Sequence, residues 1–362
     1  MIPFVNLNAQ RRAYKGEIDS AISNVLDSAC YIGGEVVSSL EKELSDYTRI
    51  PYTITCASGT SALILALMAL GISKGDEVIV PDFTFIATAE AVVLLGGIPR
   101  FADIEKNYLI SPKSAANLIS SKTKGIIAVD LFGQMANYAQ LKEIADAHGL
   151  WILEDAAQSF GASQNGNFAG SVATIAATSF YPTKPLGCYG DGGAVFTHSK
   201  SIANKVRELS NHGSSGRYKH SEIGLNSRLD TLQAAILEVK LRHFPEELAK
   251  REKNAVIYNN YFKSIEDVIV PEISNRNTST YAQYTLQFKN RSKWMKILKR
   301  SGIPTCIHYP QPLSSQICFA NLPSASQDGR SNTCARQLSR EVLSLPVCAF
   351  TDAEEIIERI QN

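Results

Sequence analysis

Short apolar segments alternate with longer helix-like ones between residues 52 and 197. The apolar segments are YTITCAS, DEVIVPDF, IPRFADI, KGIIAVDLFG, WILEDAA, IAATSFYP and GGAVFT. Several are apolar throughout rather than alternating, which is typical of strands that are covered on both faces. Helix-like segments such as TSALILALMALG and YAQLKEIADAHG lie between them, and helical crossovers imply parallel pairing. The pattern predicts an α/β fold with a large, mostly parallel sheet and helices on both faces.

The last third of the chain has a different pattern. The segment LDTLQAAILEVKLRHFPEELAKREKNAVIYNNYF has apolar residues at spacings of three and four, which predicts long helices. From about residue 250 the elements become short and are interrupted by prolines, as in a smaller α+β domain. We therefore expect a large domain over residues 1–245, including the N-terminal segment, and a small C-terminal domain over residues 246–362.

Charge and composition restrict the class of partner. Thirty-six basic and thirty-five acidic side chains are spread over 362 residues without a long run of like charge. This balance argues against binding to nucleic acid or to an anionic membrane, so we expect small-molecule substrates. No apolar stretch is long enough to span a bilayer and the first residues lack a signal-peptide core, which predicts a cytoplasmic protein. The seven cysteines form no CxxC pair and predict neither a disulfide framework nor a metal site.

The carboxyl ends of the predicted strands carry polar groups that complement one another. Ligands of open α/β sheets bind beyond these ends. The first strand is followed by SGTS, where Gly59 and Thr60 open a helix whose free N–H groups and dipole attract a phosphate. The fifth strand is followed by Asp155, and the sixth brings Ser179 and Lys184 to the same edge. Lys184 lies between SFYP and a glycine-rich loop, a setting that a surface lysine does not need.

Each of these features also has a purely structural interpretation. The SGTS turn is compatible with plain helix capping by Ser58 or Thr60, and Asp155 with a helix N-cap. Phe83 and Phe85, in PDFTFIATAE after the second strand, are compatible with core packing. A buried carboxylate at 155 would need a cation or a donor as its partner. Only the combination of these features indicates a function.

Together, these groups are the components of a pyridoxal phosphate site: a phosphate-binding turn, an aromatic ring, a carboxylate for a protonated ring nitrogen and a lysine at a strand end. Lys184 would form the Schiff base with the cofactor aldehyde. Asp155 would keep the pyridine nitrogen protonated, so that the ring can accept electrons when a proton leaves the substrate Cα. The combination predicts a pyridoxal phosphate enzyme.

Five longer motifs make the prediction more specific. SGTSAL, PDFTFIATAEAV, ILEDAAQSFGA, SFYPTKPLGCYGDGGA and GLNSRLDTLQAAIL resemble, in order and spacing, those of the DegT/DnrJ family of sugar-nucleotide aminotransferases. The likeness covers essentially the whole chain. It implies a fold of the aspartate aminotransferase type (fold type I), pyridoxal phosphate as cofactor, and a homodimer with shared active sites. It also implies an amino donor that is usually L-glutamate and a keto sugar on a nucleoside diphosphate as acceptor.

The resemblance also implies roles for individual residues. Cofactor contacts would come from Gly59, Thr60, Phe85, Asp155, Gln158, Ser179 and Lys184, with Gln158 as the ligand of the ring hydroxyl and Phe85 stacked on the ring. Asn226 matches an asparagine that family members donate from the neighbouring subunit. Arg228, His308 and Tyr309 resemble nucleotide-sugar contacts. Many members have asparagine where this chain has Pro185, a difference that leaves the lysine unchanged.

The choice of sugar rests on a narrower resemblance. KPLGCYGDGGA, NSRLDTLQAAIL, YAQYT and IHYPQPL are similar to members that aminate UDP-2-acetamido-2-deoxy-3-oxo-D-glucuronate for surface polysaccharides such as O-antigen. A dTDP- or UDP-linked 4-keto-6-deoxy sugar, or a dTDP-linked 3-keto sugar, is the alternative acceptor. A carboxylate at C5 of the sugar would need a cation or several donors, for which Arg228, His308 and Lys219 are candidates.

Two other functions are compatible with a related fold. One is a sugar dehydratase that uses the same cofactor but has histidine in place of the lysine, and Lys184 argues against it. The other is a regulatory protein that has lost its chemistry, which the intact Lys184, Asp155 and Gln158 argue against. The polar loop NHGSSGRYKH, with His212, Tyr218 and His220, is either a solvated loop or a substrate contact.

Overall fold

The seven apolar segments of the sequence form the seven strands of one sheet. A computed structural model describes residues 2–362. The strands over this range are β1 (Tyr52–Cys56), β2 (Glu77–Pro81), β3 (Ile98–Ala102), β4 (Thr123–Val129), β5 (Trp151–Asp155), β6 (Ser163–Gln164), β7 (Asn167–Phe168), β8 (Ile175–Ser179), β9 (Gly193–Thr197), β10 (Ser214–Gly216), β11 (Lys219–His220), β12 (Val268–Ile269), β13 (Tyr284–Phe288) and β14 (Val342–Leu345). The helices are α1 (Leu7–Ala13), α2 (Lys15–Ser28), α3 (Gly34–Thr48), α4 (Gly59–Ala69), α5 (Ala87–Leu94), α6 (Pro112–Asn117), α7 (Tyr138–His148), α8 (Lys200–Leu209), α9 (Thr231–Phe262), α10 (Arg291–Arg300), α11 (Pro323–Ser331), α12 (Thr333–Glu341) and α13 (Ala353–Gln361).

The large sheet has the strand order β1-β9-β8-β5-β4-β2-β3. The pairs β8–β5, β5–β4, β4–β2 and β2–β3 are parallel, as the helical crossovers predict. Strand β9 is antiparallel to both of its neighbours, β1 and β8. Because β9 runs against both, β1 runs in the same direction as β8, and the carboxyl ends of β1, β2, β5 and β8 lie at the same edge. The predicted mixed, mostly parallel sheet is confirmed.

Helices cover both faces of this sheet, which explains why several of its strands are apolar throughout. On one face, buried residues of α4 such as Leu63 pack in a cluster with Ile54 of β1 and Val195 of β9. On the other face, Leu44 of α3 and Phe244 of α9 pack in a second cluster with Phe160 and Phe196. The layers are therefore helix, sheet and helix, the arrangement that the sequence pattern predicts.

The last hundred residues form a smaller sheet beside the large one. Strands β12, β13 and β14 are antiparallel and pack with α10, α13 and the end of α9 around Tyr258, Phe262 and Leu298. Helix α9 is one continuous helix with Pro245 inside it, so it crosses the predicted domain boundary. Residues 313–325 also return to the large sheet, since Leu313, Phe319 and Ala325 belong to its hydrophobic cluster. The division into domains 1–245 and 246–362 stays a prediction.

Two further observations bear on the sequence predictions. All seven cysteines are free thiols. Within residues 2–362, no helix has both the length and the apolarity needed to cross a membrane.

Candidate active site

A cavity of about 510 Å³ lies at the carboxyl edge of the large sheet. It brings together residues of the large sheet and of the C-terminal part of the chain. The predicted site residues that line it are Gly59, Thr60, Phe85, Asp155, Gln158, Ser179, Lys184, His308 and Tyr309. These residues are spread over 250 positions of the sequence and meet in one space.

The N-terminus of α4 forms one wall of this cavity. Ser58 is the N-cap, and its hydroxyl accepts a hydrogen bond from the Ser61 amide at 3.1 Å. Among the described residues, the Gly59 and Thr60 amides donate to no protein acceptor, as expected for the first turn of a helix. A Cβ atom at Gly59 would lie 2.6 Å from Cβ of Ser179. The capping interpretation and the anion-binding interpretation therefore both apply, because Ser58 caps the helix while two amides and Ser179 remain available.

Asp155 ends strand β5 and is buried. Its carboxylate accepts hydrogen bonds from the Thr88 hydroxyl at 3.0 Å and the Ala157 amide at 3.2 Å. Burial raises the pKa of Asp155, and the positive charge of Lys184 opposes this effect. No α-helix begins at this position, so the helix N-cap interpretation of Asp155 is wrong. Each carboxylate oxygen keeps a free lone pair for a further donor.

Gln158 is oriented by the protein backbone. Its Oε1 accepts a hydrogen bond from the Phe132 amide at 2.6 Å, which leaves Nε2 as the free donor. Nε2 makes a long contact of 3.4 Å to the hydroxyl of Tyr309. The backbone carbonyl of Gln158 accepts from the Thr280 hydroxyl at 2.6 Å, which fixes the turn. The side chain therefore presents an N–H donor at the wall of the cavity.

Lys184 follows strand β8 in a tight turn. Its backbone amide donates to the Tyr181 carbonyl at 2.8 Å, and a Cβ atom at Gly187 would approach the Pro182 carbonyl to 2.6 Å. Burial lowers the pKa of the Lys184 amine, although the negative charge of Asp155 opposes this. In the described part of the chain, no side chain forms a hydrogen bond or a salt bridge with this amine. An amine that is easily deprotonated and has no fixed partner is suited to act as a nucleophile.

The two phenylalanines after β2 have different environments. Phe83 is 1% exposed and packs in the core, whereas Phe85 is 54% exposed and lines the cavity. The ring of Tyr309 lies near both, with centroid distances of 6.0 Å to Phe83 and 6.3 Å to Phe85. Phe85 therefore has an aromatic face exposed to the cavity, whereas Phe83 packs in the core.

His308 lines the cavity as a neutral side chain. Its Nδ1 lies 2.9 Å from the Ser344 hydroxyl. Burial, followed by the charge of Lys184, lowers the pKa of His308 to about 4. At neutral pH the ring therefore offers hydrogen bonds but no positive charge to a substrate carboxylate.

Asn226, Arg228 and Lys219 do not line this cavity. All three are exposed, and Arg228 donates to the Asn211 side chain at 2.8 Å. Lys219 belongs to the β10–β11 hairpin, and Asn226 forms an isolated bridge with Asn211. Their predicted roles concern a second subunit or the bound sugar, and these roles stay predictions.

Two further residues of the site, Thr88 and Gln283, lie in motifs whose sequence does not indicate a role for them. Thr88, in FIATAE, donates to Asp155 across 67 positions of sequence. Gln283, in YAQYT, lines the cavity, and its buried Oε1 has no hydrogen-bond partner among residues 2–362. A β-branched hydroxyl in a helix and an amide before a strand have no distinctive pattern, so their roles emerge only from the fold.

Comparison with known proteins agrees with this geometry. Residues 13–361 match the model of the DegT/DnrJ/EryC1/StrS aminotransferase family. The chain belongs to this family. It is 43% identical, over 98% of both chains, to the UDP-2-acetamido-2-deoxy-3-oxo-D-glucuronate aminotransferase of Pseudomonas aeruginosa. A DegT/DnrJ/EryC1/StrS aminotransferase from Brucella abortus has the same fold, with a TM-score of 0.92, 38% identity, and coverage of 100% of this chain and 99% of that one.

Membership in the family confirms the predicted fold type and the predicted class of enzyme. A third relative, NtdA from Bacillus subtilis, contains the bound cofactor PMP; it has a TM-score of 0.87, 28% identity, and coverage of 97% of this chain and 82% of that one. Pyridoxal phosphate is the cofactor of DegT family aminotransferases, as the sequence predicts.

The residues of this aminotransferase fit that cofactor. A phosphate needs several donors, which the α4 amides and Ser179 provide. A protonated ring nitrogen needs a carboxylate, and Asp155 is the buried carboxylate of the cavity. An aldehyde needs an amine, and the Lys184 amine is unpaired in the described chain. The aromatic ring of Phe85 supplies a stacking surface.

Proposed function

We propose that this aminotransferase moves the amino group of L-glutamate to C3 of UDP-2-acetamido-2-deoxy-3-oxo-D-glucuronate. The observation that carries the proposal is the 43% identity, over 98% of both chains, to the Pseudomonas aeruginosa enzyme that is named for this substrate. The cavity supports it, because anion donors, a buried carboxylate and a lysine amine line the same space. We further propose a cytoplasmic location and a role in the synthesis of surface polysaccharide such as O-antigen.

Each group that lines the cavity has a different role in the proposed reaction. Bound pyridoxal phosphate supplies an aldehyde that carries the amino group and a ring that accepts electrons from the substrate Cα–H bond. Gly59, Thr60 and Ser179 bind the phosphate through two backbone amides and a hydroxyl. Asp155 keeps the proton on the pyridine nitrogen.

The remaining two groups orient the cofactor ring and transfer the proton. Gln158 donates its Nε2–H to the ring oxygen, since its Oε1 is already bound by the Phe132 amide. With the cofactor bound, Lys184 Nζ would act as the base that removes the proton from Cα of glutamate and as the acid that gives it up again. In the second half of the reaction Lys184 moves the proton in the opposite direction, which leaves the amino group on the sugar.

We also propose that the protein is a homodimer in which each active site uses residues of both chains. A uronate acceptor has a carboxylate at C5, and His308 is neutral and cannot balance it. Arg228 and Lys219 are cations on the exposed region that also contains Asn226. In a shared site, a second copy of the chain would bring these groups to the cavity.

A substrate panel tests the proposed reaction. The pure protein with bound pyridoxal phosphate is incubated with glutamate and with UDP- and dTDP-linked 3-oxo and 4-oxo sugars, and the products are identified by mass. We expect rapid amination of the UDP-linked 3-oxo uronate. Turnover of a 4-keto-6-deoxy sugar together with no turnover of the 3-oxo uronate would contradict the proposed substrate but not the family.

A further inference from the structure

Asp82 is a buried acidic residue directly after β2, and it binds the C-terminal part of the chain. Its Oδ1 accepts the Ser314 amide at 2.7 Å, and its Oδ2 accepts the Ser314 hydroxyl at 2.8 Å and the Asn332 amide group at 2.9 Å. Its backbone carbonyl accepts the Leu313 amide at 2.7 Å. One residue at the edge of the large sheet therefore fixes two segments that are more than 230 positions away in sequence.

The burial of the Asp82 carboxylate without a cation carries a desolvation free energy that a purely structural contact does not require. Asp82 is fully buried, and over residues 2–362 all the donors that reach its carboxylate are neutral. Burial raises the pKa of Asp82 to about 6, although the hydrogen bonds from Asn332 and Ser314 oppose this. A buried carboxylate without a cation usually loses part of its hydration energy without full compensation. A carboxylate is nevertheless well suited to this position, because it accepts three hydrogen bonds at once.

The fixed segment begins just after two residues of the cavity wall. His308 and Tyr309 line the cavity, and the chain reaches Leu313 and Ser314 within five residues of Tyr309. On the other side of the contact, Phe83 follows Asp82 directly, and its ring meets the ring of Tyr309 at a centroid distance of 6.0 Å in an edge-to-face arrangement. The carboxylate and the backbone carbonyl of Asp82 therefore hold residues 308–314 close to the end of β2 through Ser314 and Leu313.

We propose that Asp82 is a positioning residue for the sugar-nucleotide half of the active site. By binding Ser314 and Asn332 it keeps Tyr309 against Phe83 and Phe85, and so sets the wall that the acceptor sugar contacts. The cofactor-binding groups Asp155, Ser179 and Lys184 lie on β5, on β8 and after β8, and form no hydrogen bond with residues 308–314. Gln158 does reach the Tyr309 hydroxyl at 3.4 Å, but the Phe132 amide and the Thr280 hydroxyl hold it independently of that contact. The inference rests on the proposed function, because it takes the wall at 308–309 to be the sugar side.

The test compares Asp82→Asn with Asp328→Asn in the protein with bound pyridoxal phosphate. In Asp82→Asn an NH2 group replaces one acceptor and faces the donors of Ser314 and Asn332. We expect the KM for the UDP-linked 3-oxo uronate to rise about tenfold, while cofactor affinity and the rate of the glutamate half-reaction change less than twofold. Asp328 is the matched control, because it fixes the same C-terminal region through Arg100 at 2.9 and 3.0 Å but lies beyond Ser314 in the chain.

Hydrogen exchange provides a second readout that needs no substrate. In Asp82→Asn the amides of residues 306–316 should exchange faster, together with those next to Asn332, whereas Asp328→Asn should affect residues 323–333 and leave 306–316 unchanged. If Asp82→Asn does not accumulate as folded protein, Ser314→Ala removes one of the three donors and should show a smaller change in the same direction. The proposal is overturned if both variants raise the KM equally, if Asp82→Asn leaves the KM and the exchange at 306–316 unchanged, or if it releases the cofactor. If the wild-type protein aminates no UDP-linked 3-oxo sugar, the proposed substrate fails, and the exchange result alone decides whether Asp82 positions residues 306–316.

Discussion

At the scale of single residues, the chemistry depends on two groups that burial affects in opposite directions. Burial raises the pKa of Asp155 and lowers that of Lys184, and the charge of each opposes the shift of the other. Both effects favour the neutral forms of the side chains. In the proposed site, a cofactor with a protonated ring nitrogen would add a cation beside Asp155 and favour its ionised form. The carboxylate would thus be matched to the charge of the cofactor ring.

Asp155→Asn tests this match. We expect the variant to bind the cofactor but to lose two to three orders of magnitude in turnover, roughly the effect of removing a preorganised electrostatic partner. Steady-state kinetics and the visible absorption of the bound cofactor are the measurements. Asp146→Asn, the same change at an exposed position of α7, is the control and should not alter turnover. Near-normal turnover in Asp155→Asn would refute the role of the carboxylate.

The identity of the cofactor-linked lysine can be tested chemically. Borohydride reduction should attach the cofactor permanently to Lys184, abolish the visible absorption, and give one labelled peptide by mass spectrometry. Lys240 is the informative competitor, because it is buried, donates to the Gly187 carbonyl at 2.5 Å, and has a pKa lowered to about 8, chiefly by burial. A label on Lys240 or on any other lysine would show that the site assignment is wrong.

At the scale of elements, the first turn of α4 and the end of β8 lie together and form the part of the site that we propose binds the phosphate. Gly59→Ala should weaken both the fold and cofactor binding, because the new Cβ would lie 2.6 Å from Cβ of Ser179. Overpacking of this kind costs about 1–3 kcal/mol. Thermal unfolding and cofactor titration are the measurements.

Gly16→Ala is the matched control for that substitution. Gly16 lies in α2, and a Cβ there would meet no atom within 4 Å, so the change should be neutral or slightly stabilising. The double variant Gly59→Ala with Ser179→Gly removes the two closest contacts and leaves one of 3.2 Å to Cα of residue 179, so it should recover part of the stability without recovering the hydroxyl. If Gly59→Ala behaves like Gly16→Ala, the two elements are not packed as closely as described.

The elements of the large sheet could be predicted because several of its strands are buried on both faces and so have a continuous apolar sequence, as GAVFT does. The motifs at the strand ends also located Asp155, Gln158 and Lys184, since a short loop carries each residue to the same edge. The position of β9 could not be predicted in this way. An apolar strand such as GAVFT is compatible with either direction, and its neighbours are decided by packing and not by its own sequence.

Other contacts could not be predicted because they join residues that are far apart in the sequence. The contact of Thr88 with Asp155 and the contact of Ser314 with Asp82 join segments that are separated by whole elements. A small polar side chain gives no local indication of such a partner. In contrast, the segment 229–262 is helical from Thr231 onwards, as predicted, although it forms the single helix α9 and not several helices, because Pro245 does not end it.

At the scale of the whole molecule, the exposed region around Asn226 does not contribute to the cavity of its own chain. Asn226 and Arg228 lie outside the 510 Å³ cavity, although the resemblance gives both of them ligand contacts. If a second copy brings them to the phosphate, one chain should bind the cofactor weakly, because fewer donors surround the charge.

Subunit complementation tests the shared site. Lys184→Ala and Asn226→Ala, each inactive alone, are mixed under conditions that exchange subunits. In a dimer with shared sites, one site of each heterodimer has both substitutions and the other has neither, so activity should return. Heterodimers that demonstrably form but remain inactive would show that Asn226 serves its own chain.

The position of strand β9 in the sheet has a consequence for folding during translation. In the large sheet β1 has β9 as its only described partner, and Ile54 is paired with Val195. A chain that is still emerging from the ribosome therefore carries β1 as an unprotected edge until β9 has been synthesised, and such edges promote aggregation. The first turn of α4 lies beside Ser179 of β8, Lys184 follows that strand, and β9 joins β8 to β1. The nascent polypeptide consequently cannot capture its cofactor until more than half of its length has been translated.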